Sequence, residues 1–300
     1  MKILAVIAIC GFFVTCSTQS IEDFEKNIYF IAHLPDGKIF NITFGDSEAY
    51  DNLVKECPPE STELSIIIPG WTESYEKTLW VPDFMSNLTE ARKGCHLFMD
   101  YSKYGVNPDI YTLFTQFKYI MPALVNQFKI LFDDHGYDGK KTFIFAFCYG
   151  AQLAIHASHK FGVRRIGRID ACDPLTYYFP GDIDMAIKYA LAADIVQCIH
   201  TSIDKGTIQR FCPISWNMGY YCGYYQYAAS LPPRDNHGLC PYIYTSAFKN
   251  DFKPVPNKSL CPTNKAGVYK DGFVMGYRMN FTLGGMGEYW AETTKNPTFT

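Results

Sequence analysis

Cys148 occupies a position in the sequence where a reactive side chain could be presented at a tight turn. An apolar, β-branched and aromatic run at residues 142–147 precedes it, and a run typical of a helix follows at residues 151–157. A buried strand, a turn and a helix with one nucleophile at the apex is the context in which a G-x-S-x-G pattern has chemical meaning. Ala146 stands for the first glycine and Cys148 for the serine, so only Gly150 of the pattern remains. The chemistry predicted from this segment is acyl transfer through a thiol nucleophile.

A base and an acid for this nucleophile follow it in the sequence. In an α/β-hydrolase the catalytic residues appear in the chain order nucleophile, acid, base. Asp170 ends the predicted strand that follows Cys148, and His237 lies in a loop after the last recognisable strand. These spacings predict a Cys148–Asp170–His237 triad, in which the acid orients the imidazole and stabilises its charged form. The backbone N–H groups of Trp71 and Tyr149 are the expected oxyanion hole.

Strands and helices alternate along the chain around these residues. Hydrophobic patterning predicts helices near residues 111–135, 151–157 and 185–192, and strands at residues 28–33, 39–44, 64–68, 96–100, 142–147, 166–169 and 195–200. This alternation favours an α/β fold with a mostly parallel sheet. Without repeats or a linker-like stretch, residues 18–300 are expected to form one domain.

Six segments in the correct order resemble motifs of the pancreatic-lipase-like neutral lipases. They are P-G-W-T-E-S at 69–74, M-D-Y-S at 99–102, I-D-A-C-D-P at 169–174, A-D-I-V-Q-C-I-H-T at 193–201, N-H-G at 236–238 and M-G at 275–276. The resemblance implies an α/β-hydrolase fold with helices flanking the sheet, and it matches Asp170 to the triad acid. It also implies a short lid, because about a dozen residues separate Tyr225 from His237, and no C-terminal β-sandwich domain.

The substitution of cysteine for serine leaves several functions open. A thiolate paired with histidine is a strong nucleophile. However, a tight turn whose shape suits a serine nucleophile must here hold the larger sulfur atom, and a misplacement of ~1 Å can cost ~10²-fold in rate. The resemblance therefore implies a lipase-family homologue that acts on or binds glycerolipid or phospholipid esters, with ester hydrolysis weak or lost. The alternatives are an active lipase or phospholipase A1-like hydrolase with a Cys-Asp-His triad, a non-catalytic carrier similar to the yolk proteins, or an extracellular interaction protein.

The N-terminus and the overall charge bear on where the protein acts. Residues 1–17 combine Lys2, an apolar run and small residues, which is typical of a secretory signal peptide and too short for a membrane span. Four N-x-S/T sequons, at Asn41, Asn87, Asn257 and Asn280, are consistent with a secreted glycoprotein. No later stretch is apolar enough to be a transmembrane segment, and a formal charge of −3 gives no basic field for nucleic acid. The expected partners are a lipid or lipid ester, a lipid surface or an extracellular protein.

Nine cysteines remain after a cleavage behind the signal peptide. An odd number in an oxidising compartment requires at least one unpaired thiol or an intermolecular bond, and Cys148 is a candidate for that thiol. The expected pairs are Cys57–Cys95, Cys212–Cys222 and Cys240–Cys261, with Cys148, Cys172 and Cys198 unassigned. A Cys148–Cys172 disulfide stays open as an alternative that would abolish the nucleophile. Cys198 is expected to be a buried small hydrophobic residue.

Other side chains that could do chemistry have plainer interpretations. His200 is expected to be a structural histidine in its strand. His156 and His159 are three residues apart on a helix, but no third ligand accompanies them, so neither a metal nor any other cofactor is expected. A tyrosine cluster either belongs to the core or lines a groove for an acyl chain or sterol near the site, and its members are Tyr220, Tyr221, Tyr224, Tyr225 and Tyr227. An exposed apolar rim at this place would also suit a lipid surface or a partner protein.

Overall fold

The computed structural model describes residues 19–107, 109–176, 179, 183–257 and 265–300. The expected signal peptide, Cys261 and the rest of the sequon at Asn257 lie outside the described residues. The described strands are β1 (Tyr29–His33), β2 (Ile39–Thr43), β3 (Leu64–Ile68), β4 (Cys95–Asp100), β5 (Phe143–Phe147), β6 (Ile166–Cys172), β7 (Ala193–His200), β8 (Ile214–Met218) and β9 (Gly287–Ala291). The helices are α1 (Ile21–Glu25), α2 (Ser47–Glu56), α3 (Val81–Ala91), α4 (Ser102–Gly105), α5 (Ile110–Lys129), α6 (Tyr149–Phe161), α7 (Ile183–Leu191) and α8 (Cys240–Ser246). Helix α5 continues as a π-helical turn, Ile130–Asp134, and short 3₁₀ turns cover Gly139–Lys141 and Phe281–Leu283.

All nine of these strands form one sheet in the order β2-β1-β4-β3-β5-β6-β7-β8-β9. Strand β1 runs antiparallel to β2 and β4, and every other neighbouring pair in the sheet is parallel. Parallel neighbours require crossover connections, and the helices between β3 and β7 supply them. A mixed, mostly parallel sheet flanked by helices confirms the predicted α/β-hydrolase fold.

The central strands lie in the core because both faces of the sheet are covered. Every residue of β3 and of β5 is buried. Helices α5 and α6 pack against each other beside the sheet. Such strands are expected to be nearly continuously apolar instead of alternating, as the sequences L-S-I-I-I and F-I-F-A-F are.

Strand β5 lies between β3 and β6, and all three are parallel. Their carboxyl ends therefore meet at one edge of the sheet, which is where ligands bind in open α/β sheets. The loop after β3, the turn after β5 and the segment after β6 are brought together at this edge. The fold thus gathers three of the sequence segments that were singled out for chemistry.

Disulfide bonds differ in part from those expected. The Cys57–Cys95 bond is confirmed, whereas the predicted Cys212–Cys222 and Cys240–Cys261 pairs are wrong, because Cys172 pairs with Cys240 and Cys198 with Cys212. Cys222 is also disulfide-bonded. Cys198 is therefore a cross-linked residue and not a free hydrophobic one. Cys148 is a free, buried thiol, so the alternative Cys148–Cys172 disulfide does not form.

A helix that spans a bilayer needs about 20 mainly apolar residues. Within the described ranges, each helix is either too short or too polar to serve as a membrane span.

Candidate active site

The turn after β5 holds Cys148 in a conformation that L-amino acids rarely adopt. Its φ and ψ are 56° and −121°, and it is the residue immediately before helix α6. A non-glycine residue in such a region costs of order 1–3 kcal/mol and persists only where the surroundings enforce it. Here the Cys148 N–H donates to the Cys172 carbonyl at 3.0 Å, and its carbonyl accepts from Ala151 and Leu175. The strained turn is therefore tied to the neighbouring strand end, with its thiol at the amino end of a helix, where negative charge is favoured.

Two glycines allow this turn to lie against the loop after β3. A Cβ on Gly150 would lie 2.2 Å from the Pro69 carbonyl oxygen, so no larger residue fits there. A Cβ on Gly70 would lie 2.9 Å from a ring carbon of Phe147 and 3.0 Å from the Cβ of Cys148. Gly150, the remaining residue of the motif, is thus required by a close approach of backbones, which brings residues 70 and 71 beside the nucleophile.

His237 is bound to an aspartate through one ring nitrogen. Its Nδ1 lies 2.7 Å from Oδ2 of Asp173, and both side chains are buried. The imidazole packs on the Phe147 ring, with 4.9 Å between centroids. Because Nδ1 faces Asp173, the opposite nitrogen Nε2 faces away from the carboxylate. Nε2 is buried and has no hydrogen-bond partner among the described residues. This arrangement holds one tautomer of the imidazole, with Nε2 available to exchange a proton.

Asp173 is oriented by the segment that follows β7. Its Oδ1 accepts from the N–H groups of Thr201 (2.9 Å) and Ser202 (3.3 Å), and its Oδ2 accepts from the Ser202 hydroxyl at 2.6 Å. With the bond to His237, four donors converge on one fully buried carboxylate. A charge this far from water requires such partners, and they also fix its direction.

Asp170 is not the partner of His237, which corrects the assignment expected from the sequence. Strand β6 extends to Cys172, so Asp170 lies within the strand and not at its end. Its carboxylate forms a bidentate ion pair with Arg168, at 2.8 Å for both contacts, and accepts a hydrogen bond from the Tyr244 hydroxyl. The Arg168 guanidinium in turn donates to the backbone carbonyls of residues 276 and 277. Asp170 therefore belongs to a buried ion pair that joins β6 to the C-terminal region.

The electrostatics of His237 depend on Cys148. Burial alone would lower the pKa of His237, but the electrostatic interaction with Cys148 and the hydrogen bond to Asp173 outweigh it. The pKa of His237 is therefore held well above its ordinary value of 6.5. An imidazolium beside a thiolate is the reactive form of a Cys–His pair. Cys148, His237 and Asp173 together have the donor and acceptor pattern that covalent acyl transfer requires.

Two backbone N–H groups near Cys148 lack acceptors among the described residues. Tyr149 is the first residue of α6, where amide groups have no partner inside the helix. In the loop after β3, the N–H of Gly70 donates to Glu73 and that of Thr72 to Gly105, whereas no acceptor lies opposite the N–H of Trp71. The structure thus leaves unpaired the two N–H groups that the sequence predicts as donors to an oxyanion.

A cavity of about 590 Å³ opens over Cys148 and His237. Its size lies within the range of ~300–1,000 Å³ that is typical of small-molecule sites. Its walls are mainly apolar and include Trp71, Leu79, Trp80, Ile110, Phe147, Leu175, Pro232, Pro233 and Tyr242. The charged side chains that line it are Glu73, Lys77, Lys205 and Asp235, of which Lys205 and Asp235 form an ion pair at 2.6 Å. The cavity therefore suits a largely apolar ligand with a polar group near the thiol.

The remaining candidates lie away from this cavity. His200 is fully buried in β7, where burial lowers its pKa well below 6.5. Tyr220, Tyr221, Tyr225 and Tyr227 are exposed and contact one another, and they do not line the cavity, so neither the core nor the groove interpretation holds for them. An exposed rim for a lipid surface or a partner protein stays a prediction. No group of three or more His, Cys, Asp or Glu side chains suited to a metal ion occurs in the part of the chain that the structure describes.

Sequence reasoning missed Asp173, Ser202 and Glu73. Asp173 lies only three residues after Asp170 in the same segment, and the Asp-Pro that ends the strand at residues 173–174 is a signal that could have identified it. Ser202 follows directly on the I-H-T segment. Glu73 lies in the P-G-W-T-E-S segment, and only its contacts with Gly70 and Trp80 in the folded chain distinguish it.

Comparisons with known proteins give only distant structural matches. No family model and no curated protein matches the sequence. Among solved structures, an esterase from Pyrococcus furiosus is 17% identical over 47% of this chain, with a TM-score of 0.35, and the match spans 62% of that esterase. The esterase PE8 is 11% identical over 56% of this chain and 74% of its own, with a TM-score of 0.36. Est1E from Butyrivibrio proteoclasticus, in a structure with ferulic acid bound, is 14% identical over 58% of this chain and 74% of its own, with a TM-score of 0.35. At these values the activity has to be argued from the site itself.

Proposed function

We propose that this protein is a carboxylic-ester hydrolase that uses Cys148 as its nucleophile, His237 as its base and Asp173 as the acid that orients the base. One observation carries the proposal. A free thiol on a strained turn lies beside a histidine whose other nitrogen is bound to a buried aspartate. Backbone strain of this kind is costly and is concentrated at functional sites.

The mechanism follows from these positions. The thiolate attacks the ester carbonyl, and the N–H groups of Trp71 and Tyr149 stabilise the oxyanion that develops. His237 then donates its proton to the departing alkoxide, which leaves a thioester on Cys148. A water molecule that gives its proton to His237 attacks the thioester and releases the carboxylic acid. Throughout, Asp173 holds Nδ1 and stabilises the imidazolium without taking up the proton.

The substrate class is argued from the walls of the cavity. Mainly apolar walls favour an ester with an apolar acyl chain, and such an ester includes glycerolipids and phospholipids. Leu79 at the cavity and Leu231 next to its proline wall are 69% and 85% exposed, which suits contact with a lipid surface. The six segments that resemble pancreatic-lipase-like neutral lipases agree with this class, and we propose membership of that branch, with residues 18–300 as one secreted domain.

A non-catalytic lipid carrier is the second candidate. It is favoured by the replacement of serine with cysteine, because the larger sulfur must fit a turn that Gly70 and Gly150 already crowd. Binding in the cavity requires no chemistry from Cys148. Loss of the Cys148 thiol should therefore abolish turnover by a hydrolase but should leave lipid binding by a carrier unchanged.

Hydrolysis of a short-chain fluorogenic ester and of a phospholipid by the purified protein separates the two. Wild type is compared with Cys148→Ala and Cys148→Ser under the same conditions, and lipid binding is measured in parallel. We expect turnover by the wild type that is lost in the alanine variant. Equal and undiminished lipid binding by all three proteins without any turnover would support the carrier instead. Activity only in the serine variant would show an intact site that the natural cysteine disables.

A further inference from the structure

Glu73 joins the loop after β3 to the wall of the cavity. Its Oε2 accepts a hydrogen bond from the Gly70 N–H at 2.6 Å, and its Oε1 accepts one from the indole N–H of Trp80 at 2.7 Å. Both Glu73 and Trp80 line the cavity over Cys148. A partly buried carboxyl group thus uses its two oxygens to hold two separate pieces of the site, although the triad itself does not need it.

The loop after β3 needs these hydrogen bonds because Gly70, which has no side chain, does not restrict its own backbone torsions. The Tyr101 hydroxyl donates to the carbonyls of Pro69 (2.7 Å) and Gly70 (3.0 Å), which fixes one side of the Gly70–Trp71 peptide. In a trans peptide the N–H points opposite to the carbonyl, so this bond directs the Trp71 N–H away from Tyr101. The position of that peptide still depends on the two backbone torsions of Gly70. The bond from the Gly70 N–H to Glu73 restrains the preceding peptide, so Tyr101 and Glu73 together hold Gly70 at both ends.

We propose that Glu73 is a positioning residue of the oxyanion hole: its ionised carboxylate holds Gly70 and Trp80 so that the Trp71 N–H is directed at the reacting carbonyl, and its protonation loosens this arrangement. The inference rests on the proposed function, because the Trp71 N–H matters only if an oxyanion forms there. It adds to that function a residue outside the triad and a dependence on pH.

The ionisation of Glu73 falls in the range where it can control activity. Burial raises the pKa of Glu73 to about 7. The hydrogen bonds from Trp80 and Gly70 and the charge of His237 lower the same pKa, but burial has the larger effect. Tyr101 and Tyr242 also interact electrostatically with the Glu73 carboxyl. The other charged groups that line the same cavity are Lys77, Lys205 and Asp235. An ionised carboxylate accepts stronger hydrogen bonds than a protonated one, so the loop is held best above about pH 7.

The test compares Glu73→Gln with Glu76→Gln. Glutamine has one carbonyl oxygen and can accept only one of the two N–H groups, whereas Glu76 is exposed on the same loop and makes no hydrogen bond among the described residues. Loss of one oxyanion donor costs ~10²–10³-fold in kcat. For a displaced donor we expect Glu73→Gln to lower kcat by about 10- to 100-fold, with KM changed less than about threefold. In the wild type and in Glu76→Gln, kcat should rise with a midpoint near pH 7, and Glu73→Gln should lack this step.

A second readout does not depend on turnover. The indole N–H resonance of Trp80, assigned with Trp80→Phe, should shift with a midpoint near pH 7 in the wild type and should not titrate in Glu73→Gln. If Cys148-dependent turnover occurs but Glu73→Gln matches Glu76→Gln in kcat and pH profile, the Glu73 assignment is wrong while the proposed function stands. If no Cys148-dependent turnover is found, the proposed function and the oxyanion role of Glu73 both fail. An indole signal that does not titrate would by itself overturn the account of the ionised carboxylate.

Discussion

Replacement of Asp173 by asparagine is expected to disable the site while leaving the fold in place. Two backbone N–H groups, of Thr201 and Ser202, point at Oδ1, and the Ser202 hydroxyl and His237 Nδ1 point at Oδ2. If the asparagine oxygen stays with the two N–H groups, its NH₂ group faces Nδ1. The imidazole must then carry its proton on Nε2, where it cannot accept one from Cys148. This tautomer change costs ~10⁴-fold in kcat in a serine protease triad, and general acid–base catalysis contributes ~10²–10⁴-fold, so we expect a loss of about 10³-fold or more.

Asp170→Asn is the matched comparison, because it makes the same chemical change three residues away. It leaves the Arg168 guanidinium without its bidentate partner, and removal of one member of a buried pair costs about 3–5 kcal/mol. The Arg168 side chain keeps 18% of its surface exposed, so water can partly solvate the unpaired charge, which argues for the lower end of that range. Asp170→Asn should therefore reduce the free energy of unfolding by about 3 kcal/mol, while each folded molecule keeps nearly all of its activity.

Three measurements distinguish the two variants. They are kcat on a fluorogenic ester, the rate at which iodoacetamide alkylates Cys148 at neutral pH, and urea-induced unfolding. Asp173→Asn should lose turnover and slow the alkylation with little change in stability. If Asp170→Asn is folded but inactive and Asp173→Asn retains turnover, the reasoning is refuted and the triad suggested by the sequence is correct.

Two further results are expected. In Cys148→Ala the pKa of His237, followed by NMR, should fall from its raised value, because the electrostatic interaction with Cys148 is gone. The stabilisation that comes from the raised pKa is complete below about pH 6.5 and is lost as pH rises through the folded-state pKa, so less stability should be lost over this range in Cys148→Ala. An unchanged titration of His237 would contradict its pairing with Cys148. The double variant Cys172→Ala/Cys240→Ala should lose about 2–4 kcal/mol of stability. Its turnover per folded molecule should also fall, because the disulfide joins the residue before Asp173 to the residue three after His237. Full turnover in the folded fraction would show that the disulfide does not position these side chains.

The central part of the fold and of the site could be predicted from the sequence. Strand β3 was predicted with its observed bounds, and the turn between β5 and α6 has the sequence pattern of a nucleophile elbow. Both strands are nearly continuous apolar runs, which is the composition expected of strands that are buried on both faces of a parallel sheet. The free thiol at Cys148 and the position of His237 beside it depend on the same strand order.

The aspartate that contacts His237 was predicted wrongly because the end of a strand is poorly marked in a sequence. Residues 170–172 are Asp, Ala and Cys, which give no turn signal of their own, and the strand pairs with β5 and β7 up to Cys172. Because β6 pairs with both neighbours, it ends three residues later than the sequence predicts. Within the strand, the Asp170 carboxylate pairs with Arg168, two residues away. This ion pair accounts for the burial of Asp170 without a catalytic role.

Long-range contacts account for the other differences. The late disulfides were expected to be local, but Cys172–Cys240 spans 68 residues and joins β6 to α8. Strands β8 and β9 were not predicted, and in the sheet they pair with each other although about 70 residues separate them. Neither the disulfide nor this pairing has a local pattern, because each depends on the sheet already being assembled.

An acyl group trapped on Cys148 is the most direct test of the proposed chemistry. The protein is mixed with a slowly hydrolysed ester and quenched in acid, and the peptide that contains residue 148 is analysed by mass spectrometry. A covalent mechanism predicts the mass of the acyl group on Cys148, its removal by neutral hydroxylamine as expected for a thioester, and its absence in Cys148→Ala. An unmodified Cys148 during measurable turnover, or equal turnover in Cys148→Ala, would contradict it.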